Sequence, residues 1–419
     1  MKKILWVCNT PLPEIQNAVG IRNYNEGWLI GISNQLRKRE DIVFHYAFPQ
    51  SRYKRTFNQT IDGITFWGFY NFQQIPYKIE KEREQTLRTI IAKVNPDIIH
   101  IFGTEYSHTL ECIKSVPDKK KVVVSVQGLV SELATVYTKG IPFKDRLAGK
   151  FEGTEYRCIL TEKFDFYKRG VNERNVLLRI QNVIGRTDWD KKCVQKRNAG
   201  CKYYHCSETL RDVFYEDSWD IRSIQRHSVF VSQAGYSIKG LHILIPALAL
   251  IKRRYPDVLV YVAGDKAFLK RNTPYGCYIK KLIKQYSVEE NIVFLGFFTA
   301  EKIKQQLLKT HVMVMPSLLE NSPNSIGEAM MMGVPVVAAK VGGIPSLMSD
   351  GKEGYLYACM DKKDLARKIC KIFLHDDLAL KFSKNGRKTG AKLYNRSNNL
   401  DRLLEIYDEI IHSDKRNRK

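Results

Sequence analysis

The feature that most constrains this chain is an alternation, carried out twice, of short Val/Ile-rich runs with longer segments of helical periodicity. The first set of runs is KILWVCN (3–9), IVFHYAF (42–48), DIIHIFG (97–103), KVVVSVQG (121–128), NVIGRT (182–187) and YYHCS (203–207). Helical patterns lie between them near 27–38, 78–94, 106–115, 172–181 and 188–197. Runs that are apolar at nearly every position imply strands buried on both faces, as in a parallel sheet flanked by helices. After the polar stretch YEDSWDIRSIQRHS (215–228) the alternation restarts with VFVSQ, VLVYVAGD, NIVFLGF, VMVMPS and PVVAA. The expected fold is α/β: two doubly wound domains, 1–222 and 223–385, with a cleft between them, then C-terminal helices and a basic tail at 386–419. A chain of 419 residues suits two such cores.

Composition removes several alternatives. Nine cysteines without a CxxC pair argue for reduced thiols in the cytoplasm rather than a disulfide framework. Cys193, Cys201, His205 and Cys206 match no zinc spacing, and no DxD-like triplet occurs, so no metal site is expected. The formal charge of +24 attracts polyanions. The basic residues are spread along the chain, however, and no helix-turn-helix, RNP or zinc-finger pattern supports nucleic acid as a partner. The longest apolar run, ILIPALALI (243–251), is about half a membrane span. MKKILWVCNTPLP reads as a buried first strand rather than a signal peptide. A soluble or peripheral protein is expected.

In open parallel sheets ligands sit beyond the carboxyl ends of the strands, so the residues there carry the functional reading. Gly27 precedes an apolar helix after the first strand, either as a turn glycine or where backbone approaches a ligand. Lys239 and Gly240 stand directly before a long helix. A lysine there is electrostatically misplaced unless an anion shares the site, the alternative being a solvated surface side chain. In MPSLLENSPNSIGEAMMMG, Ser322 and Pro323 fit the N-cap and first position of a helix ending before Gly333. Glu320 lies before that helix and Glu328 inside it. A ligand with a central diphosphate and polyhydroxylated groups at both ends would use all three features: Glu328 on a ribose, the helix end on phosphates, Glu320 on a sugar. That ligand is a nucleotide-sugar. Arg186 in GRTDWD also follows a strand, as a cation for the site or as half of a structural salt bridge.

These residues resemble those of the retaining glycosyltransferases of family 4, which have the glycosyltransferase-B fold of two facing Rossmann-like domains. The resemblance covers most of the chain and is strongest over 228–357. Its carriers are KGLHILIPALALIKRRYPDVLVYVAGD, NIVFLGF, the E-x7-E run ENSPNSIGE, EAMMMGVPVVAAKVGGIPSLMSDGKEGYLY and, near the front, EGWL. It implies that Lys239 binds the donor diphosphate, Glu320 the donor sugar and Glu328 the ribose. It further implies that Asn324, Ser325 and Ile326 lend backbone to the phosphates and that Gly27 meets them from the first domain. Two positions depart from the pattern. Gln233 stands where the family usually has arginine, on the donor side, and Gln127 where many members carry histidine near the acceptor, a side to which Arg186 also belongs.

The implied reaction moves a glycosyl group from a UDP-, GDP- or ADP-sugar to a hydroxyl of a glycan or lipid-linked acceptor with retention and without a metal or other cofactor. Lys239 and Glu320 are the candidate catalytic residues. The implied setting is surface polysaccharide synthesis in the cytoplasm or at the inner membrane face. A silent nucleotide-sugar-binding protein, or an epimerase or phosphorylase of the same architecture, would keep the same pocket. The stretch TKGIPFKDRLAGKFEGTEYRCILTEKFDFYKRG (138–170) is expected on the acceptor side. It mixes Phe143, Leu147, Phe151, Phe164, Phe166 and Tyr167 with Lys139, Lys144, Arg146, Lys150, Lys168 and Arg169. It reads as a surface for an anionic membrane or as a lid with solvated charges.

Overall fold

The computed structural model describes residues 1–20, 29–71, 75, 77–152, 155–264, 269 and 273–416. Its strands are β1 (Lys2–Val7), β2 (Ile42–Gln50), β3 (Phe57–Ile61), β4 (Ile64–Tyr70), β5 (Ile98–Phe102), β6 (Val122–Ser125), β7 (Gly149–Glu152), β8 (Glu155–Cys158), β9 (Asn182–Gly185) and β10 (Lys202–His205). They continue with β11 (Gln225–Val231), β12 (Leu259–Ala263), β13 (Ile292–Gly296), β14 (Thr310–Met315), β15 (Val336–Ala339) and β16 (Gly354–Tyr357). The chain forms two compact units, Met1–Ser131 with Tyr167–Thr209 and Tyr394–Lys419, and Glu132–Phe166 with Leu210–Leu393.

The first unit is built on a sheet in the order β10-β9-β6-β5-β1-β2-β4-β3, parallel except for the β3–β4 hairpin. Ile4 and Trp6 of β1 enter the core on one face, Leu5 and Val7 the core on the other. That is why the run is apolar at consecutive positions. The second unit has an all-parallel sheet, β13-β12-β11-β14-β15-β16, with every residue of β14 and of β15 buried. Both sheets are of the doubly wound α/β kind expected.

Several boundaries differ from the sequence expectation. The divide falls at 209/210 rather than 222/223, because Phe214 and Trp219 are buried in the second unit's core. Trp219 donates from its backbone N–H to Met332 O (2.8 Å) and from its indole to Thr310 O (2.7 Å). Residues 386–419 do not stand apart. The helix Asp376–Leu393 packs Ala379 and Phe382 into the second unit. The helix Arg396–Arg416 packs Leu403, Ile406 and Tyr407 against the first sheet. Much of the 138–170 stretch belongs to the second unit, into whose core Tyr137, Ile141 and Ile159 are built. Within it lie the antiparallel β7–β8 pair and the start of a helix, Ile159–Leu177, which begins well before the expected 172.

Candidate functional site

The candidate donor residues other than Gly27 lie in the second unit, on the loops and helices that follow its strands. Leu318 N–H donates to Ile238 O (2.7 Å), tying the loop after β14 to the turn Ser237–Lys239. The approach requires glycine at 240, where φ is +71° and a Cβ would lie 1.9 Å from Pro316 O. A second turn closes the loop from the other side: Gly343 N–H donates to Glu320 O (3.0 Å), and at Gly342 (φ +51°) a Cβ would lie 2.0 Å from the same oxygen.

This clamp sets Lys239 Nζ 2.8 Å from Glu320 Oε1, which also accepts from Ser317 Oγ at 2.8 Å. Burial works against the lysine's charge, but the Glu320 carboxylate and the Tyr236 phenol outweigh it and hold the pKa above the ordinary lysine value. The anion that a lysine at a helix start calls for is thus present in the chain itself. Glu328, 6% exposed, meets the guanidinium of Arg211 at 2.7 Å. Arg211 also lies over the Phe214 ring, 5.0 Å from its centroid. Nothing in the local sequence singles out Arg211; its place depends on a contact 117 positions away.

The intervening helix is Asn324–Met332, one residue later than expected. Pro323 has an extended ψ of 117° and is itself the N-cap, so Ser322 is not the cap and Pro323 is not the first helical residue. No side-chain hydrogen bond caps this end. Its first amides, at Asn324, Ser325 and the buried Ile326, form the positive end of the helix dipole, the Ile326 N–H already donating to Pro323 O at 3.1 Å. Gln233 is exposed just past β11. Gly27 lies outside the described residues.

The first unit brings Gln127 and Arg186 together at the ends of β6 and β9. Arg186 pairs with Glu208 (2.7 Å) and donates to Gln127 Oε1 (3.3 Å). The salt-bridge reading of Arg186 therefore holds in this structure, and both residues also line one cavity. Cys193 and Cys201 pack on one face of the first sheet and Cys206 on the other. His205 Nε2 is 3.1 Å from Arg186 O. Among the described residues no group of three or more His, Cys, Asp or Glu side chains is placed to hold a metal ion, and no disulfide joins any of the nine cysteines. No described helix is long and apolar enough to cross a membrane.

In the 138–170 stretch, Phe143 is 67% and Phe164 60% exposed, with Leu147 and Tyr167 also outward. Phe166 instead packs into the second unit, its ring 4.8 Å from that of Tyr137. Phe151 lies in β7.

Residues 215–389 match the family profile of the glycosyl transferases group 1. Over 98% of its length the chain is 22% identical to a putative glycosyltransferase, YtcC, of Bacillus subtilis, covering 92% of that protein. Among solved structures it is similar to the sucrose-phosphate synthase of Thermosynechococcus elongatus (TM-score 0.70, 14% identity, 99% and 100% of the two chains covered). It is also similar to Anabaena Alr3699/HepE in complex with UDP-glucose (TM-score 0.68, 17% identity, 98% and 100% covered).

Proposed function

We propose, on the premise of the match of residues 215–389 to the group 1 glycosyltransferases, that the chain transfers a sugar from a nucleoside diphosphate sugar held by Lys239, Arg211, Glu320 and Glu328. The observation that carries this reading is a pair of part-buried ion pairs, Lys239–Glu320 and Arg211–Glu328, whose carboxylates stand one before and one within the helix Asn324–Met332. Within each pair the cation and the carboxylate neutralise one another. With a donor present, Lys239 and the helix amides face the diphosphate, Glu320 accepts from sugar hydroxyls and Glu328 from the ribose. Negative charge grows on the diphosphate as the glycosidic bond breaks, so fixed positive groups there favour the transition state over the bound donor. Those groups belong to the protein, and the reading assigns no role to a metal. The acceptor hydroxyl then attacks from the face that the diphosphate leaves, its proton passing to the departing oxygen, which retains the anomeric configuration.

The acceptor proposed is a glycan or lipid-linked sugar of a surface polysaccharide, reached at an anionic membrane. Support for the membrane comes from the exposed Phe143, Leu147 and Phe164 in the same stretch of sequence as the exposed Lys139 and Lys144, and from the charge of +24. The test is turnover: each nucleotide-sugar is incubated with membrane extract, nucleoside diphosphate release is followed, and the product's anomer is read by NMR. Release with a retained anomer is expected. An inverted product refutes retention, and a donor that is bound but never consumed, or is returned as its epimer, refutes transfer.

A further inference from the structure

The first unit contains a cavity, partly open to solvent, with about 450 Å³ of empty space counted out to its mouth. Trp6, Phe102, Ile184 and Leu403 give it apolar walls, and the hydroxyl of Ser125 lies at the end of β6 among them. Behind that hydroxyl runs a buried chain of polar groups. Trp6 Nε1 donates to Tyr407 Oη at 2.9 Å, Tyr407 Oη is 2.6 Å from His100 Nδ1, and His100 Nε2 is 2.6 Å from Ser125 Oγ.

The order of protons along this chain follows from its first member. An indole N–H can only donate, so Tyr407 Oη accepts from Trp6. The phenol's own hydrogen is fully buried, and among the described residues its one acceptor is His100 Nδ1. The reverse assignment would strand that hydrogen at a cost of about 1–3 kcal/mol. With Nδ1 accepting, the neutral ring carries its proton on Nε2 and donates to Ser125 Oγ. Burial keeps His100 neutral by lowering its pKa to about 3. Ser125 Oγ thereby accepts from His100, and among the described residues its own hydrogen has no partner. That hydrogen is left for whatever enters the cavity.

We propose that Ser125 is a hydrogen-bond donor to a ligand oxygen carried on an apolar ring or chain, and that Trp6, Tyr407 and His100 are positioning residues that fix its direction. Apolar walls with a few placed polar groups, here Ser125 in a cavity also lined by Gln127, Arg186 and Glu208, are how small-molecule sites set binding pose. Assigning this oxygen to the acceptor substrate rests on the transferase reading; the proton order and the cavity's ligand preference do not, so turnover is not the readout.

Two measurements on the full chain test it. The first is the ¹H–¹⁵N spectrum of the histidine side chains at pH 7, with His100→Gln to assign the signal. The Nε2-protonated neutral ring is expected, and an Nδ1-protonated or doubly protonated ring overturns the proposal. The second titrates benzyl alcohol and toluene, following the Trp6 indole N–H, in the wild type and in Ser125→Ala. The alcohol should bind the wild type more tightly than toluene and lose about fivefold in Ser125→Ala, the effect of one neutral hydrogen bond, while toluene binding stays within twofold. Equal losses for both probes, or no preference for the alcohol in the wild type, overturn it. Tyr407→Phe should shift the His100 ring toward the other tautomer, a change that a purely structural role for the phenol would not produce.

Discussion

The Lys239–Glu320 pair lends itself to a double-mutant cycle between Lys239→Met and Glu320→Gln, read in both stability and ligand affinity. The two side chains are 15% and 13% exposed and meet at 2.8 Å. At an effective dielectric of about 20 the Coulomb attraction at that distance is about 6 kcal/mol, most of which is offset by desolvating two ions. A net coupling of about 1–3 kcal/mol is the expectation for groups in direct contact. Each single variant leaves a part-buried charge without its partner, so each should unfold at lower urea, and the double variant should lose less than the sum of the two. Affinity should behave otherwise. Lys239→Met removes a charge-assisted contact to the diphosphate, worth about 1.5–3 kcal/mol, or about 10- to 150-fold in Kd for whichever of UDP, GDP and ADP binds. Glu320→Gln, facing the sugar, should leave the affinity for the free nucleoside diphosphate nearly unchanged or improve it. Urea unfolding and calorimetric titration supply the two readouts. Additive stabilities would refute the coupling, and an unchanged Kd in Lys239→Met would refute the placement of the lysine on the diphosphate.

Other consequences are equally open to measurement. Arg211→Ala should weaken nucleotide-sugar binding about tenfold, and by much less in a Glu328→Gln background, because the two groups act as a pair; equal losses in both backgrounds would separate them. His100 and His108 are buried with pKa values lowered to about 3, so the folded state takes up no proton where the unfolded chain does. The stability they confer is complete above about pH 6.5 and lost as pH falls toward 3, about 2 kcal/mol each by pH 5. A urea midpoint that holds steady between pH 7.5 and 5 would contradict this. Co-sedimentation with vesicles containing phosphatidylglycerol should be strong at low salt and fall at high salt, and should weaken in the Phe143→Ser, Phe164→Ser double variant; equal binding to neutral vesicles would remove the electrostatic membrane model. Turnover should survive EDTA, and activity that is lost and then restored by Mg²⁺ would reverse the metal-independent reading.

The strands that cross the sheet centres were legible because burial on both faces writes itself as uninterrupted Val and Ile, as in VVVS of β6 and VVAA of β15. Lys239, Glu320 and Glu328 were legible as residues beyond strand ends, and the structure puts them in one unit. The β3–β4 hairpin was missed although its signal is local: Asp62 and Gly63 both take positive φ, +48° and +80°, as an Asp-Gly two-residue turn requires. The helix Ile159–Leu177 hides its first half in aromatic residues of poor helix propensity, and its position is fixed by packing, since a Cβ on Gly170 would meet Ser131 Cα at 2.9 Å. Arg211, the return of the C-terminal helix to the first unit and the Trp6–Tyr407–His100–Ser125 chain all depend on contacts between residues far apart in sequence. Trp6 and Tyr407 are 401 positions apart, and no local pattern specifies such a pair.

A nucleoside diphosphate sugar is expected to bind the second unit through Lys239 and Glu328. The most direct measurement is the melting temperature with UDP-, GDP- and ADP-glucose, on the wild type and on Lys239→Ala and Glu328→Ala, since a ligand that binds only the folded state raises it. One nucleotide series is expected to raise the wild-type melting temperature in a saturable way and to have little or no effect on either variant. A wild type indifferent to all three, or variants that respond as the wild type does, would contradict it.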